Sequence, residues 1–284
     1  EIKERYGEER RTAILAVGTT FSVEDMIAEE DAVLTFTHKG YVKRTAAATY
    51  RSQRRGGRGL QGAKAKEEDF VEHLFVAYTH DYILFFTDKG KCHWLKVHEI
   101  PPGGRAARGR AIVNLLGTEP GEKVKAFVSV KTFDEEKFII MATRKGRIKK
   151  TKLSAYGKPR KGGIYAIDIR EGDELIEAKI TNGENDIVLG TREGKSIRFP
   201  ETDARPMGRK TRGVIGIKLS KKDDYVVGMV VVRREGTLLV ATEKGFGKRT
   251  EVMQYRIQKR SGKGVLATVS YTHLRAHETL RSLV

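Results

Sequence analysis

The chain has 284 residues, of which 55 are Lys or Arg and 37 are Asp or Glu, so its formal net charge is +18. A hydrophobic fraction of 39% is too high for a disordered basic tail, and 30 glycines argue against a mainly helical protein. No apolar run approaches the roughly 20 residues of a membrane-spanning helix, and a single cysteine, Cys92, excludes an intramolecular disulfide and a multi-cysteine zinc site. The composition predicts a globular protein rich in β-structure, whose positive surplus indicates nucleic acid or, second, an anionic membrane surface.

Three regions follow one another along the chain. Residues 1–12 are highly charged and lack an apolar signal core, so we interpret them as the end of an upstream helix or a linker, and the chain as part of a longer, cytoplasmic protein. Residues 13–268 contain a repeated pattern and are predicted to form one domain. Residues 269–284 lose both the pattern and its glycines, which predicts a non-native or disordered tail.

The repeated unit occurs five times as an apolar run, Thr, two polar residues and Gly. Each copy predicts a strand that runs into a hairpin turn, with the glycine where the chain needs a positive φ. These hairpin glycines are spaced by 50, 56, 48 and 51 residues, and they are Gly40, Gly90, Gly146, Gly194 and Gly245.

A second glycine follows each hairpin glycine after 17 to 19 residues, at positions 59, 109, 163, 213 and 264. Four and six residues beyond it lies an apolar pair in the first four copies, for example Val113 with Leu115 and Ile167 with Ile169, which predicts a strand with one buried face. A period near 50 with about four strands per copy favours radial blades over a solenoid. The prediction is an all-β, propeller-like fold of four-stranded blades.

Positive charge recurs between the two glycines of each copy. The five intervals, residues 41–59, 91–109, 147–163, 195–213 and 246–264, hold 29 Lys or Arg and 4 Asp or Glu, and we call them the basic segments. They carry a net charge of +25, and the rest of the chain carries −7. Because an element that recurs once per blade lies on one rim of a disc, we expect a curved positive stripe, which suits the phosphates of a bent duplex.

The first basic segment contains Gln53-Arg54-Arg55-Gly56-Gly57-Arg58-Gly59. Its three guanidinium groups offer bidentate phosphate contacts, and its glycines let backbone amides approach the same anions. At every position, this heptapeptide resembles the signature box in the C-terminal domain of the DNA gyrase A protein. Other segments of the sequence also resemble that family, namely Phe21–Ile27, Ala107–Leu116 and Arg205–Arg209. The resemblance extends over about residues 1–267.

The resemblance implies a six-bladed β-pinwheel, whose blades exchange strands and whose rim wraps DNA to support negative supercoiling. Only five of the expected six repeats are present, which leaves closure of the ring open. In the whole enzyme, the resemblance implies three partners: double-stranded DNA, the gyrase B protein and a second gyrase A protein. It also implies association with the nucleoid. ATP and Mg²⁺ would bind to other domains. The predicted DNA-binding residues are the box, Gln53, Arg54, Arg55, Gly56, Gly57, Arg58 and Gly59, together with Lys43, Arg44, Arg105, Arg108, Lys149, Lys150, Arg160, Lys161, Arg209, Lys210, Arg212, Lys248, Arg249, Lys259, Arg260 and Lys263.

Two other interpretations stay open. The repeats also fit the equivalent domain of topoisomerase IV, although in that family the box is absent or degenerate. From a different class, a propeller-type disc could be a scaffold for protein interactions. Neither a catalytic constellation nor a metal or cofactor site is predicted from residue spacing in this chain.

Overall fold

The computed structural model describes residues 5–7, 23–50, 69–104, 107–242, 245–267 and 274–275. The strands are β1 (Asp31–Thr37), β2 (Tyr41–Ala46), β3 (Val71–Tyr78), β4 (Tyr82–Thr87), β5 (Lys91–Lys96), β6 (Arg110–Ala111), β7 (Val124–Val130), β8 (Phe138–Thr143), β9 (Arg147–Lys152), β10 (Ile164–Tyr165), β11 (Leu175–Thr181), β12 (Asp186–Thr191), β13 (Lys195–Pro200), β14 (Val214–Ile215), β15 (Val226–Val232), β16 (Thr237–Thr242), β17 (Gly247–Glu251), β18 (Val265–Leu266) and β19 (Leu274–Arg275). The α-helix α1 spans Ile112–Leu116, and one-turn 3₁₀ helices span Val23–Met26, Ala47–Thr49, Val97–Glu99, Leu153–Tyr156, Glu201–Asp203 and Val252–Gln254.

These strands form five antiparallel sheets, one for each copy of the sequence repeat. Four sheets have four strands, in the orders β3-β1-β2-β6, β7-β4-β5-β10, β11-β8-β9-β14 and β15-β12-β13-β18. The fifth, β19-β16-β17, has three strands among the described residues. The predicted all-β pinwheel of four-stranded blades is thereby confirmed.

Strand exchange links each sheet to the next. The two-residue strands β6, β10, β14 and β18 each belong to one copy of the repeat but pair with the sheet of the preceding copy. At the opposite edge of the sheets, residues of β3, β7, β11 and β15 line one central cavity. The exchanged strands, and the basic segments that lead into them, therefore lie at the outer edge of the disc.

The core lies between successive sheets, and the first hairpin strands of the first four copies, β1, β4, β8 and β12, are buried on both faces. In β4, Ile83 and Phe85 belong to a cluster with the first sheet, whereas Leu84 and Phe86 belong to a cluster with the third. A strand that is covered on both sides needs a continuous apolar run rather than alternation. This explains why the repeat shows an unbroken apolar run before its hairpin glycine.

The hairpin glycines have the positive φ that was predicted for them, between 77° and 83°. The prediction of a strand at the apolar pairs is wrong: Ile167 and Ile169 follow β10 and lie outside any strand, and Val113 and Leu115 belong to a helix. These residues lie in α1, where Ile112 and Leu116 are buried and Val113 is 45% exposed. The buried pair has a spacing of four residues, so helical rather than alternating periodicity places them on one face.

The ends of the chain are described only in part. Arg5 and Tyr6 have helical conformation, and Leu274–Arg275 pair with Ala241 and Thr242 of β16. The other residues of 1–12 and of 269–284, apart from Gly7, lie outside the described residues, so the boundaries at 12 and 268 remain predictions. None of the helices in the described ranges is long and apolar enough to span a membrane.

Candidate nucleic-acid interface

The second to fifth basic segments each start in one sheet and lead into the sheet before it. Each begins as the second strand of a hairpin, passes through a one-turn 3₁₀ helix and continues into the exchanged strand. On the way it runs beside the second hairpin strand of the preceding copy, which it contacts through bridges between Arg44 and Pro102, Lys150 and Pro206, and Arg198 and Ile257. We call each of these contact regions a junction.

The second glycine of the second to fifth copies fits tightly against the preceding sheet. Gly109, Gly163, Gly213 and Gly264 have φ between 72° and 87°. A Cβ atom on Gly213 would lie 2.2 Å from the Ile148 carbonyl oxygen, and one on Gly109 would lie 2.4 Å from the Val42 carbonyl oxygen. The regular occurrence of this glycine therefore follows from positive φ and from close backbone approach at the junction.

Most of the predicted DNA-binding side chains that the structure describes reach the surface. Arg44, Arg209 and Arg260 are half-buried. Arg260 donates from Nε to the Asp203 carbonyl oxygen at 2.9 Å, so part of its binding capacity is used within the protein. The exposed members are Arg108, Arg160, Lys161, Lys210, Arg212, Lys248, Arg249, Lys259 and Lys263.

Some exposed arginines are oriented by neighbouring groups. The Arg108 guanidinium lies over the Tyr41 ring, 3.8 Å from its centroid. Arg212 pairs with Asp168 at 2.7 Å from Nε to Oδ2, and both side chains are about half exposed. These contacts leave donors that face solvent, since a guanidinium group carries five N–H bonds in a planar fork.

Three predicted DNA-binding lysines are interior. Lys43, Lys149 and Lys150 are 1%, 0% and 4% exposed. Their ammonium groups donate to backbone carbonyl oxygens: Lys43 to Gly104 at 3.1 Å, Lys149 to Ala166 at 2.6 Å and also to Arg209, and Lys150 to Glu201 at 3.0 Å. This burial is incompatible with direct contact to a phosphate in this conformation, and we leave the three lysines out of the proposed interface.

Burial also changes the proton affinity of these lysines. Loss of water around the ammonium group lowers the pKa of Lys43 and of Lys150. It lowers the pKa of Lys149 to about 7, with a further contribution from the positive charge of Arg209. The lysines are adapted to holding neighbouring loops rather than to carrying exposed charge.

The second junction replaces the interior lysine with a histidine. His93 lies three residues after Gly90, as Lys149 does after Gly146, and it is 3% exposed. Its Nε2 lies 3.8 Å from Oε1 of the buried Glu122. Burial lowers the pKa of His93, and the Glu122 charge opposes this shift.

The signature box, residues 53–59, and Arg105 lie outside the described residues, so their assignment rests on the sequence. The sequence reasoning missed Lys152 and Lys158, which are exposed within the third basic segment. It also missed Arg198, which is 6% exposed and bonded within the fourth junction. Aligning the copies on the hairpin glycine would have identified Arg198, because it lies four residues after that glycine, as Arg44 and Lys150 do.

The comparisons with known proteins agree with this architecture. The family model described as DNA gyrase C-terminal domain, beta-propeller, matches residues 31–77, 81–131, 137–182, 185–233 and 236–283. The DNA gyrase A protein of Clostridium acetobutylicum is 52% identical over 266 residues, which cover 94% of this chain and 32% of that protein. The DNA gyrase A protein of Mycolicibacterium smegmatis is 46% identical over 277 residues, which cover 97% and 33%. The chain spans about a third of the length of these curated relatives.

Two solved structures share the fold. The C-terminal domain of DNA topoisomerase IV superimposes with a TM-score of 0.72 at 27% identity, over 88% of this chain and 77% of that chain. A DNA gyrase A C-terminal domain superimposes with a TM-score of 0.69 at 24% identity, over 86% and 81%.

Proposed function

This chain belongs to the DNA gyrase C-terminal domain family, and we propose that it binds duplex DNA without sequence specificity and bends it around its outer edge. The observation that carries the proposal is the basic segment, which recurs at the outer edge of successive sheets with exposed Lys and Arg side chains. Phosphate contacts of this kind are independent of base sequence. Bending a duplex costs several kcal/mol, which many such contacts offset.

In the whole protein, we propose that this wrapping supports negative supercoiling by an ATP-dependent type II topoisomerase. The chain would then act with the gyrase B protein and a second gyrase A protein in the bacterial cytoplasm. ATP and Mg²⁺ would bind to other parts of that assembly. The resemblance of residues 53–59 to the gyrase box supports gyrase over topoisomerase IV, whose C-terminal domain shares the fold.

Salt dependence tests the binding mode. If about seven exposed side chains of the basic segments and the three box arginines reach phosphates, the logarithm of the association constant should fall against the logarithm of salt concentration with a slope of about −9. Fluorescence anisotropy with a labelled duplex measures that slope. A slope shallower than about −3 contradicts wrapping through many phosphates and favours a protein-interaction scaffold.

A topology assay tests wrapping itself. Nicked plasmid is sealed by ligase in the presence of the chain. The change in linking number is then measured by gel electrophoresis. The triple substitution Arg54→Ala, Arg55→Ala, Arg58→Ala should retain much of the binding but lose most of the linking-number change. A control with equal charge loss is Arg170→Ala, Lys218→Ala, Lys222→Ala, at exposed positions outside the basic segments. Equal linking-number changes for the two triple variants contradict the role assigned to the box.

A further inference from the structure

One side-chain hydrogen bond recurs at all four described junctions. Its donor lies four residues after the hairpin glycine, and its acceptor is a backbone carbonyl at the one-turn 3₁₀ helix of the next copy. The bonds are Arg44 Nε to Ile100 O at 3.3 Å, Trp94 Nε1 to Tyr156 O at 2.9 Å, Lys150 Nζ to Glu201 O at 3.0 Å, and Arg198 Nη1 to Val252 O at 2.9 Å and to Tyr255 O at 3.2 Å. We call these four side chains the junction donors.

The junction donors differ in shape and charge. Arginine, lysine and tryptophan have in common a long side chain that ends in an N–H donor, and the tryptophan is neutral. Because Trp94 carries no charge, positive charge is not the property that the four positions share. The shared property is therefore the hydrogen bond to the next copy.

The junction donors are also surrounded by other groups of the protein. Lys150 and Arg198 are 4% and 6% exposed, and Arg44 and Trp94 are half-buried. The Arg198 guanidinium pairs with Asp186 at 2.6 Å from Nη2 to Oδ2. The Lys150 ammonium lies 5.1 Å from the centroid of the Phe138 ring.

At three junctions, a backbone hydrogen bond attaches the residue of the junction donor to a second position in the next copy. The carbonyl oxygens of Arg44, Lys150 and Arg198 accept from the amides of Gly103, Met207 and Gln258 at 2.8, 2.8 and 2.7 Å. The side chain of the same residue holds the 3₁₀ helix that precedes this loop. Two attachment points along one segment fix its direction as well as its position.

We propose that the junction donors are positioning residues for DNA wrapping. They fix the angle between consecutive sheets, and through it the curvature of the exposed basic stripe, and this role needs no contact with DNA. The exposed Arg108, Arg212 and Lys263, each directly before a second glycine, are the side chains that this arrangement presents in register. The inference rests on the proposed function.

The test separates curvature from local contact. Trp94→Phe and Lys150→Met remove the donor and keep an apolar side chain of similar size, whereas Lys150→Arg keeps a donor. Lys222→Met removes the same charge from an exposed position outside the basic segments and serves as the control. Each variant of the 284-residue chain is measured with a duplex of about one helical turn, 10 base pairs, and in the plasmid topology assay.

We expect Trp94→Phe and Lys150→Met to bind the short duplex within about twofold of the unchanged chain, since phosphate contacts are retained. Their linking-number change should fall by about half or more, because a stripe with altered curvature no longer matches the bent duplex. Lys150→Arg should restore it. Circular dichroism confirms folding, and Trp94→Phe provides the decisive result if Lys150→Met does not fold.

Two results overturn the inference alone. One is an unchanged linking-number effect in folded Trp94→Phe and Lys150→Met. The other is a parallel loss of short-duplex affinity in Lys150→Met with no effect of Trp94→Phe, which would mean that Lys150 contacts DNA itself. An unchanged chain that leaves the linking number unaltered contradicts the proposed function, and the inference with it.

Discussion

Replacing Lys149 with methionine should change how the stability of the protein depends on pH. The Lys149 ammonium is fully buried and donates to the Ala166 carbonyl oxygen at 2.6 Å and to that of Arg209. Burial, and then the charge of Arg209, lower its pKa from 10.5 to about 7, with Asp168 acting in the opposite direction. Methionine has a similar length and no proton to exchange.

The magnitude follows from the difference between the folded and unfolded pKa. Below pH 7 both states hold the proton, and the folded protein carries the full cost of burying the charge. Between pH 7 and 10.5 the unfolded chain keeps the proton and the folded protein loses it, so stability rises with pH. From pH 6 to pH 9 the contribution of Lys149 to the free energy of unfolding should rise by about 3 kcal/mol.

Urea unfolding followed by circular dichroism at pH 6, 7, 8 and 9 measures this effect. The free energy of unfolding of the unchanged chain minus that of Lys149→Met should increase by about 3 kcal/mol over the range, because all other titrating groups are common to both proteins. Lys152→Met, at an exposed position of the same strand, keeps Lys149. Its free energy of unfolding should therefore change with pH as that of the unchanged chain does. A constant difference between the unchanged chain and Lys149→Met refutes the lowered pKa.

Two further substitutions test the junctions through stability, each read as a shift in thermal unfolding. Gly213→Ala should lower the free energy of unfolding by about 1–3 kcal/mol, because φ is 73° and the new Cβ would lie 2.2 Å from the Ile148 carbonyl oxygen. In the control Gly208→Ala, the new Cβ meets no atom within 4 Å, so stability should hardly change. Equal effects of the two substitutions would contradict the close approach. Arg198→Met should cost about 3 kcal/mol by leaving Asp186 and two carbonyl groups without their donor; an unchanged midpoint would mean that the buried pair adds no net stability.

The repeat made much of this architecture predictable. A glycine three residues after Thr gave the hairpin turn, and the regular period gave one sheet per copy. The regular spacing of the second glycine was visible in the sequence. The reason for a glycine there was not, because the carbonyl oxygen that a Cβ atom would meet belongs to the preceding copy. Strand assignment failed at Val113, where two-residue and four-residue spacings compete over a segment too short to show its period.

The charge pattern located the outer edge but not the exposure of each side chain. Composition counts Lys149 and Lys152 alike, although they lie three residues apart in one strand with the first buried and the second exposed. Alternation along β9 does not separate them either, since Ile148 through Thr151 are all buried. What decides exposure is the loop of the following copy, which lies across part of the strand and is beyond the reach of local sequence pattern.

Under the proposed function and the inference from the junctions, charge in the basic segments has two roles that experiments can separate. Exposed side chains such as Arg212 determine how many counterions DNA displaces, so their loss should make the salt dependence less steep. Interior side chains such as Lys150 determine the angle at which the next sheet is held, so their loss should alter the linking-number change while the salt dependence stays the same. A single count of Lys and Arg merges the two groups, and it overestimates the charge presented to DNA while overlooking the residues that give the stripe its curvature.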